Sequence, residues 1–292
     1  MGRRSDQKKS WYAIAEKSTT KGEKVSTVCR KLDKSRAAYY KQMKAQTQQE
    51  LESHLVHELV LEQRSYMPRL GGKKLYYLLR SSFEKHQIQL GRDRFFGWLK
   101  RHDLLVKPKK RYARTTNSHH HFRVHKNLVQ QIEISRPDQV WVSDITYLRL
   151  QKGFCYLALI TDAYSRKIIG YHVNNTLELK GCLQALRMAC MHKQNKNTIH
   201  HSDRGIQYCS HRYVNQLATK GIQISMGEAG NCYENPLAER INGILKSEFN
   251  LDATFTHLSQ AERAVKQAVE IYNGKRPHMA IGMKKPVELY AA

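Results

Sequence analysis

Several features that mark common protein classes are missing from this sequence of 292 residues. No run of about 18 apolar residues occurs, so no membrane span is expected. The N-terminal stretch MGRRSDQKKSWYA is basic, but no apolar segment follows it, which argues against a secretory signal. The cysteines include no CxxC pair, so a disulfide framework or a structural zinc site is not favoured. We expect reduced cytosolic thiols, mostly in cores, at Cys29, Cys155, Cys182, Cys190, Cys209 and Cys232.

Acidic residues are also scarce: 25 Asp and Glu face 50 Lys and Arg, which gives a net charge of +25. The excess of positive charge is unevenly distributed, since residues 1–130 hold 30 of the 50 basic residues but only 11 of the 25 acidic ones. A surplus of this size favours a polyanionic partner, and nucleic acid is the first candidate. The alternatives are a solubility surplus and a ribosome-associated protein.

The N-terminal part predicts two pairs of helices. Residues 25–45 read as two helices around a tight turn, with Ser35 as the cap of the second. The second helix begins with small, basic and aromatic side chains, which suits a helix-turn-helix recognition element, although plain helical packing explains this pattern equally well. A second helical pair, with an aromatic core and a basic surface, occupies residues 63–112. The predicted DNA-binding residues of these two regions are Arg36, Lys41, Arg92, Arg94, Lys100, Arg101, Lys107, Lys109, Lys110 and Arg111.

The pattern changes after a linker at residues 113–134, so we predict four regions: 1–62, 63–112, the linker, and a core at 135–292. The linker holds the triplet His119–His121, which could bind a metal in principle, but a histidine triplet in an exposed loop usually has no specific role. From residue 140 the order of predicted elements is β-β-β-α-β-α-β-α, which indicates an α/β core with a meander of three strands. In this order the first and fourth strands lie side by side.

Three acidic residues draw attention in this core. Asp144 stands in the middle of a predicted strand, where aspartate is uncommon, and a buried acid satisfied by backbone N–H groups is the alternative explanation. Asp203 follows the fourth strand, in a turn that is weak evidence alone. Glu239 lies 36 positions later on a helix that Asn235 can cap and Pro236 can begin. It shares a face of that helix with Gly243 and Lys246.

If these three carboxylates converge, they repel one another by roughly 4 kcal/mol per pair at an effective dielectric constant of 20. Divalent cations turn such a cluster into a site, and oxygen ligands favour Mg²⁺ or Mn²⁺ over zinc. Two ions about 3.5–4 Å apart can drive an in-line displacement at phosphorus.

The motifs WVSDITYL, ITDAYSRKIIGY, HHSDRGIQY, YENPLAERINGILKSEF and YNGKRPHMAIGMKKPVELY closely resemble the integrase core of bacterial insertion-sequence transposases. The similarity is to the OrfB-type subunit of the IS-three family, whose members are related to retroviral integrases, and it covers about residues 135–290. It implies an RNase H-like core, a mixed five-stranded sheet with helices, after helix-turn-helix-type DNA-binding regions. It also implies that Asp144, Asp203 and Glu239 are the catalytic residues and hold Mg²⁺ or Mn²⁺, two ions per site.

The resemblance further implies double-stranded DNA, both element ends and target, as substrate. It implies a homo-oligomer on DNA, an upstream helix-turn-helix and zipper subunit as a partner, no membrane, and a nucleoid-associated location in the bacterial cytoplasm. The expected activity is metal-dependent strand cleavage and strand transfer; a catalytically inactive DNA-binding regulator and a nuclease without joining activity are the alternatives. Further DNA contacts are expected at Lys246, Arg240 and Arg204. Supporting or loop roles are expected at His201, Asn235, Arg276 and His278.

Overall fold

The computed structural model describes residues 3–107, 124–191, 193–195, 197–227 and 235–291. The chain divides into two compact units, one formed by residues 1–62 and 82–88 and the other by residues 63–81 and 89–292. Across the described ranges, no helix has the length and apolar character that crossing a membrane requires.

The first unit contains helices α1 (Arg3–Thr20), α2 (Val25–Lys31) and most of α3 (Arg36–Tyr66). Its small core holds Tyr12, Ala15, Val28, Cys29 and Tyr39. The predicted pair of helices around a turn is confirmed, and the Ser35 hydroxyl accepts the Ala38 N–H over 3.1 Å. The basic N-terminal segment is also a helix, and α3 continues without a break through the polar stretch that follows residue 45.

Two helices open the second unit, α4 (Gly72–Lys85), whose last turn belongs to the first unit, and α5 (Arg92–Arg101). In α5 the aromatic and aliphatic side chains Phe95, Trp98 and Leu99 are buried, as their helical spacing predicts. The basic side chains of α5 are exposed. The helix therefore separates an apolar face, which packs, from a cationic face, which meets solvent.

A mixed sheet forms the centre of the second unit. Strands β1 (Val140–Leu150), β2 (Phe154–Asp162) and β3 (Ile168–Asn174) make the predicted antiparallel meander. Strands β4 (Ile199–Ser202) and β5 (Gln223–Met226) continue the sheet in parallel, in the order β3-β2-β1-β4-β5. A two-residue strand, β6 (Thr254–Phe255), also pairs with the end of β1. This order confirms the expected RNase H-like core and the neighbouring positions of the first and fourth strands.

The remaining helices cover the two faces of the sheet. They are α6 (Leu179–Met191), α7 (Ile206–Cys209), α8 (His211–Thr219), α9 (Pro236–Glu248), α10 (Leu258–Gly274) and α11 (Pro286–Tyr290), with a 3₁₀ turn at Met279–Ile281. One core joins Trp141 to residues of α6 and α8, whereas Val140 and Val142 pack with Ala238 of α9 on the other side. Successive β1 side chains point to opposite faces, so residues of even number, including Asp144, face the side of α9.

Helix α6 lies unusually close to β3. A Cβ atom at Gly170 would stand 2.2 Å from the carbonyl oxygen of Ala185, so only glycine permits this approach. The close packing fixes the meander against one helix layer, while α9 packs against β1 and β2 and α10 against β3.

Candidate active site

Strands β1 and β4 bring two aspartates to the same level of the sheet. Val142 pairs with His201 in the parallel register, and Asp144 and Asp203 each stand two residues further along their chains. Asp203 directly follows the short strand β4, and the end of β4 lies beside the middle of the longer strand β1. The two carboxylates belong to one site, because the negative charge of Asp203 acts on Asp144.

Asp144 is held by two hydrogen bonds. Its Oδ1 accepts the N–H of Ile145 over 2.9 Å, and its Oδ2 accepts from Nδ2 of Asn242 over 2.8 Å. Burial, together with the negative charge of Asp203 and a smaller effect of Glu239, raises the pKa of Asp144 to about 7. The two hydrogen bonds lower that pKa, but they do not offset desolvation and repulsion. A bound cation would stabilise the ionised form of a carboxylate in this environment.

Asp203 is oriented by the loop that follows β4. Its Oδ1 accepts the N–H of Gly205 over 3.0 Å, and a Cβ atom at Gly205 would stand 3.0 Å from the same oxygen. The neighbouring Arg204 donates from Nε to the carbonyl oxygen of Gly227 over 2.8 Å, which ties this loop to the end of β5. The loop therefore positions the Asp203 carboxylate through its backbone.

Helix α9 carries the third acid. Ile241, Ile244 and Leu245 form its buried stripe, while Glu239 is exposed on the opposite side. Pro236 occupies the first turn, as predicted. The prediction that the Asn235 side chain caps α9 is wrong: its Nδ2 donates instead to the carbonyl oxygen of Ser143 over 2.8 Å. This bond links the start of α9 to the residue before Asp144.

Two further residues on the Glu239 face of α9 reach toward Asp144. Asn242, three positions after Glu239, makes the hydrogen bond described above. Lys246, one turn later, lies with Nζ 4.3 Å from the centre of the Tyr147 ring. Burial lowers the pKa of Lys246, whereas the charge of Asp144 acts in the opposite direction. Lys246 is thus a cation within electrostatic reach of the acidic site.

Two buried histidines support the strands beneath the site. Nε2 of His200 lies 2.6 Å from the Ser143 hydroxyl and 2.9 Å from the Tyr213 hydroxyl, and burial lowers the pKa of His200 to about 3. Nδ1 of His201 lies 2.9 Å from the Ser225 hydroxyl, between β4 and β5. These contacts place both rings inside the sheet layer rather than at its open edge.

The other predicted residues lie apart from the two aspartates or outside the described ranges. Arg276 and His278 are buried around the end of α9, where Arg276 pairs with Glu248. Arg240 is exposed beside Glu239. Exposed bases on the helical regions are Arg36, Lys41, Arg92, Arg94, Lys100, Arg101 and Lys107. The predicted contacts Lys109, Lys110 and Arg111, the triplet His119–His121 and Cys232 lie outside the described residues. The five cysteines that are described are free thiols, four of them buried, as expected.

The donor set suits a hard divalent cation because it consists of carboxylate oxygens alone. The electrostatic coupling of Asp144 to both Asp203 and Glu239 supplies the charge that such an ion would neutralise. Among the described residues, no three His, Cys, Asp or Glu side chains already surround one point as metal ligands. Shared ligation by all three acids therefore requires the exposed Glu239 side chain to turn toward the aspartates.

A mixed sheet with an aspartate inside its central strand, a second, coupled aspartate directly after the neighbouring strand and a glutamate on a late helix defines a DDE-type polynucleotidyl transferase. Sequence models of the integrase core domain match residues 134–232 and 220–286. The 31 kDa protein of insertion element IS600 from Shigella sonnei is 37% identical over 213 residues, covering 71% of this chain and 78% of that protein. Transposase InsF of insertion sequence IS3A from Escherichia coli K12 is 30% identical over 230 residues, covering 77% and 78%.

Among solved structures, the HTLV-2 integrase catalytic core domain in complex with magnesium is similar at 19% identity, with a TM-score of 0.43 over 53% of this chain and 97% of that one. The chain belongs to the integrase-core transposases of bacterial insertion sequences, and this family is dependent on divalent metal.

The sequence did not single out Asn242, Gly205 or Glu248. Asn242 stands three residues after Glu239, so helical spacing alone could have placed it on the same face. Gly205 and Glu248 carried no such signal, because their partners become neighbours only in the folded chain.

Proposed function

We propose that this transposase cleaves DNA at the ends of its insertion sequence and joins the freed 3′-hydroxyl to phosphates of target DNA. The observation that carries the proposal is the electrostatic coupling of Asp144, inside β1, with Asp203, directly after β4, and with Glu239 on the helix beside them. Membership of the insertion-sequence family supplies the substrate class.

In this proposal Asp144, Asp203 and Glu239 hold two Mg²⁺ or Mn²⁺ ions. When bound, such ions activate the attacking hydroxyl or water and stabilise the leaving oxygen in an in-line displacement. Asn242 keeps the Asp144 carboxylate oriented, and the Gly205 N–H does the same for Asp203. No side chain forms a covalent bond with DNA, because hydroxyl and water are the nucleophiles.

We assign DNA contacts to three basic side chains near the acids, those of Lys246, Arg240 and Arg204. We assign further contacts to the exposed cationic faces of the helical regions at residues 1–62 and 63–112. Lys246 is best placed, because its ammonium group lies over the Tyr147 ring and within electrostatic reach of Asp144. The proposed partners are two element ends, target DNA, further copies of this chain and an upstream helix-turn-helix subunit. The proposed site of action is the bacterial nucleoid.

The test incubates purified protein with labelled duplexes from both ends of its element, a target plasmid and Mg²⁺. We expect joined products from the wild-type protein and none from Asp144→Asn. A matched control, Asp252→Asn, removes a partly exposed acid whose 3.8 Å ion pair with Arg69 is long, and it should join normally. Hydrolysed ends without joined product would indicate a nuclease, and DNA binding without either product would indicate a regulator; both results would overturn the proposal.

A further inference from the structure

The last residue of helix α9, Glu248, lies at the centre of a buried ion cluster. Arg276 donates to it through two nitrogens, from Nε to Oε2 over 2.8 Å and from Nη2 to Oε1 over 2.9 Å. Lys74 of α4 also donates to Oε1. The side chain of Arg276 is 3% exposed, that of Lys74 12% and that of Glu248 15%. We call Lys74, Glu248 and Arg276 the Glu248 clamp.

The clamp joins three parts of the second unit that are far apart in the chain. Lys74 and Glu248 are separated by 174 positions, and Arg276 follows α10. Two neighbouring contacts reinforce the junction. The Arg69 N–H donates to the Glu248 carbonyl oxygen over 3.2 Å, and Lys275 Nζ lies 3.6 Å from the centre of the Tyr66 ring. Residues 66–74 therefore run across the end of α9.

Electrostatics make the clamp strongly interdependent. Burial alone would raise the pKa of Glu248, but the hydrogen bonds and positive charges of Arg276 and Lys74 bring that pKa below its ordinary value. Burial and the charge of Arg276 lower the pKa of Lys74, and Glu248 opposes them. Removing one member of a buried ion pair leaves the others without compensation, which disturbs the site more than replacing the whole pair would.

The clamp also fixes a direction that apolar packing does not. The stripe of Ile241, Ile244 and Leu245 holds α9 against the sheet, but hydrophobic contact is non-directional. The two-nitrogen contact of an arginine with a carboxylate has a defined geometry. Glu239 precedes Glu248 by nine positions, about 14 Å along a helix with a rise of 1.5 Å per residue. A shift or rotation of α9 at Glu248 is transmitted along this rod to Glu239 and Asn242.

We propose that Glu248 is a positioning residue for the transfer reaction: held by Lys74 and Arg276, it sets the placement of α9 so that Glu239 and Asn242 meet Asp144. The same clamp anchors the segment 66–74, which leads into α4, to the catalytic helix. The proposal rests on the proposed function for its catalytic consequence, but the anchoring of α9 can be observed without any reaction.

The first experiment compares the wild-type protein, Glu248→Gln and the matched control Glu262→Gln, which replaces an exposed acid of α10. Amide hydrogen exchange is followed in peptides from α9 and from β1, in metal-free protein. We expect faster exchange in α9 for Glu248→Gln, with β1 unchanged, and wild-type exchange for Glu262→Gln. If a folded Glu248→Gln protein exchanges its α9 amides at the wild-type rate, the proposal is overturned.

The second experiment measures joining of labelled end DNA against Mg²⁺ concentration, together with end-DNA binding. In Glu248→Gln, displacement of α9 should raise the Mg²⁺ concentration for half-maximal joining by about tenfold or more. The joining rate of this variant at saturating Mg²⁺ should fall by up to about 10²-fold, while its DNA binding stays within about twofold of the wild-type value. A merely structural role would lower thermal stability without moving the Mg²⁺ dependence.

A further variant keeps the test decisive if Glu248→Gln does not fold. Glu248→Gln combined with Lys74→Met removes one buried cation along with the anion, so the net charge of the clamp stays the same. This double variant should fold and still show the raised Mg²⁺ requirement and the faster exchange of α9; wild-type values for both would overturn the proposal. If the wild-type protein itself joins no DNA, the proposed function fails, whereas the exchange result still decides whether Glu248 places α9.

Discussion

Asn242 donates a 2.8 Å hydrogen bond from Nδ2 to Oδ2 of Asp144 and thereby joins the catalytic helix to the central strand of the sheet. The bond acts on the acid whose pKa is most clearly displaced toward neutrality within the site. The helix that carries Glu239 therefore also orients the Asp144 carboxylate and lowers its pKa.

Replacing Asn242 should shift the pH dependence of joining. The Asn242 hydrogen bond lowers the Asp144 pKa, so Asn242→Ala moves that pKa above its present value of about 7. Joining at pH 7 and limiting Mg²⁺ should fall by about 10- to 100-fold and should recover in part as the pH is raised. The control is Gly243→Ala, an exposed neighbour on α9 with open space for a methyl group. A uniform loss at every pH would contradict this role.

Neutralising Asp144 should stabilise the metal-free protein at alkaline pH. The folded chain keeps the Asp144 proton up to about pH 7, whereas the unfolded chain releases it near 3.8. The native state thus binds more protons between these values, so this residue's contribution to stability decreases as the pH rises and levels off above about 7. At about 1.4 kcal/mol per pKa unit, the upper limit of the effect is about 4 kcal/mol.

Urea unfolding of Asp144→Asn and wild-type protein at pH 5 and pH 8, with chelator present, tests this expectation. The gain in the free energy of unfolding should be larger at pH 8. Asp252→Asn, which loses a partly exposed acid in the same unit, should show no such gain. An identical effect of Asp144→Asn at both pH values would mean that Asp144 is already ionised without strain.

Two of the three acids stand out locally in the sequence: Asp144 interrupts an alternating strand, and Glu239 lies opposite a clear apolar stripe. Asp203 lies in a common type of turn, and only the resemblance to the integrase core joined it to the other two. The strand order then follows from the succession of elements, and the structure confirms it. Local pattern failed at Asn235, whose side chain accepts no capping hydrogen bond and instead donates to the carbonyl oxygen of Ser143, 92 positions away. The Glu248 clamp was equally invisible, because no local signal joins residues 174 positions apart.

Lys246 should contribute one phosphate contact. Lys246→Gln removes a cation beside the acidic site, so end-DNA binding should weaken and the slope of log affinity against log salt should decrease by about one. Fluorescence anisotropy with labelled end duplexes over a range of salt concentrations measures both quantities. The control is Lys266→Gln on the exposed side of α10. An unaltered slope would show that Lys246 does not contact phosphate.

The basic run that follows α5 should contribute more. Substituting Lys107, Lys109 and Lys110 by Gln should reduce the salt slope by about two to three, since each phosphate contact contributes roughly 0.9. The same binding assay applies, with a triple substitution of the exposed residues Lys152, Lys220 and Lys266 as control. Equal slopes for the two triple variants would indicate that net charge alone, not this run, governs binding.

The central claim is that Asp144, Asp203 and Glu239 together hold divalent metal, and Mn²⁺ binding followed by electron paramagnetic resonance tests it most directly. The wild-type protein should bind Mn²⁺, with Mg²⁺ competing for the same sites. Asp144→Asn and Asp203→Asn should lose this binding, Glu239→Gln should weaken it, and Asp252→Asn should leave it intact. Wild-type Mn²⁺ binding by folded Asp144→Asn and Asp203→Asn proteins would contradict the account.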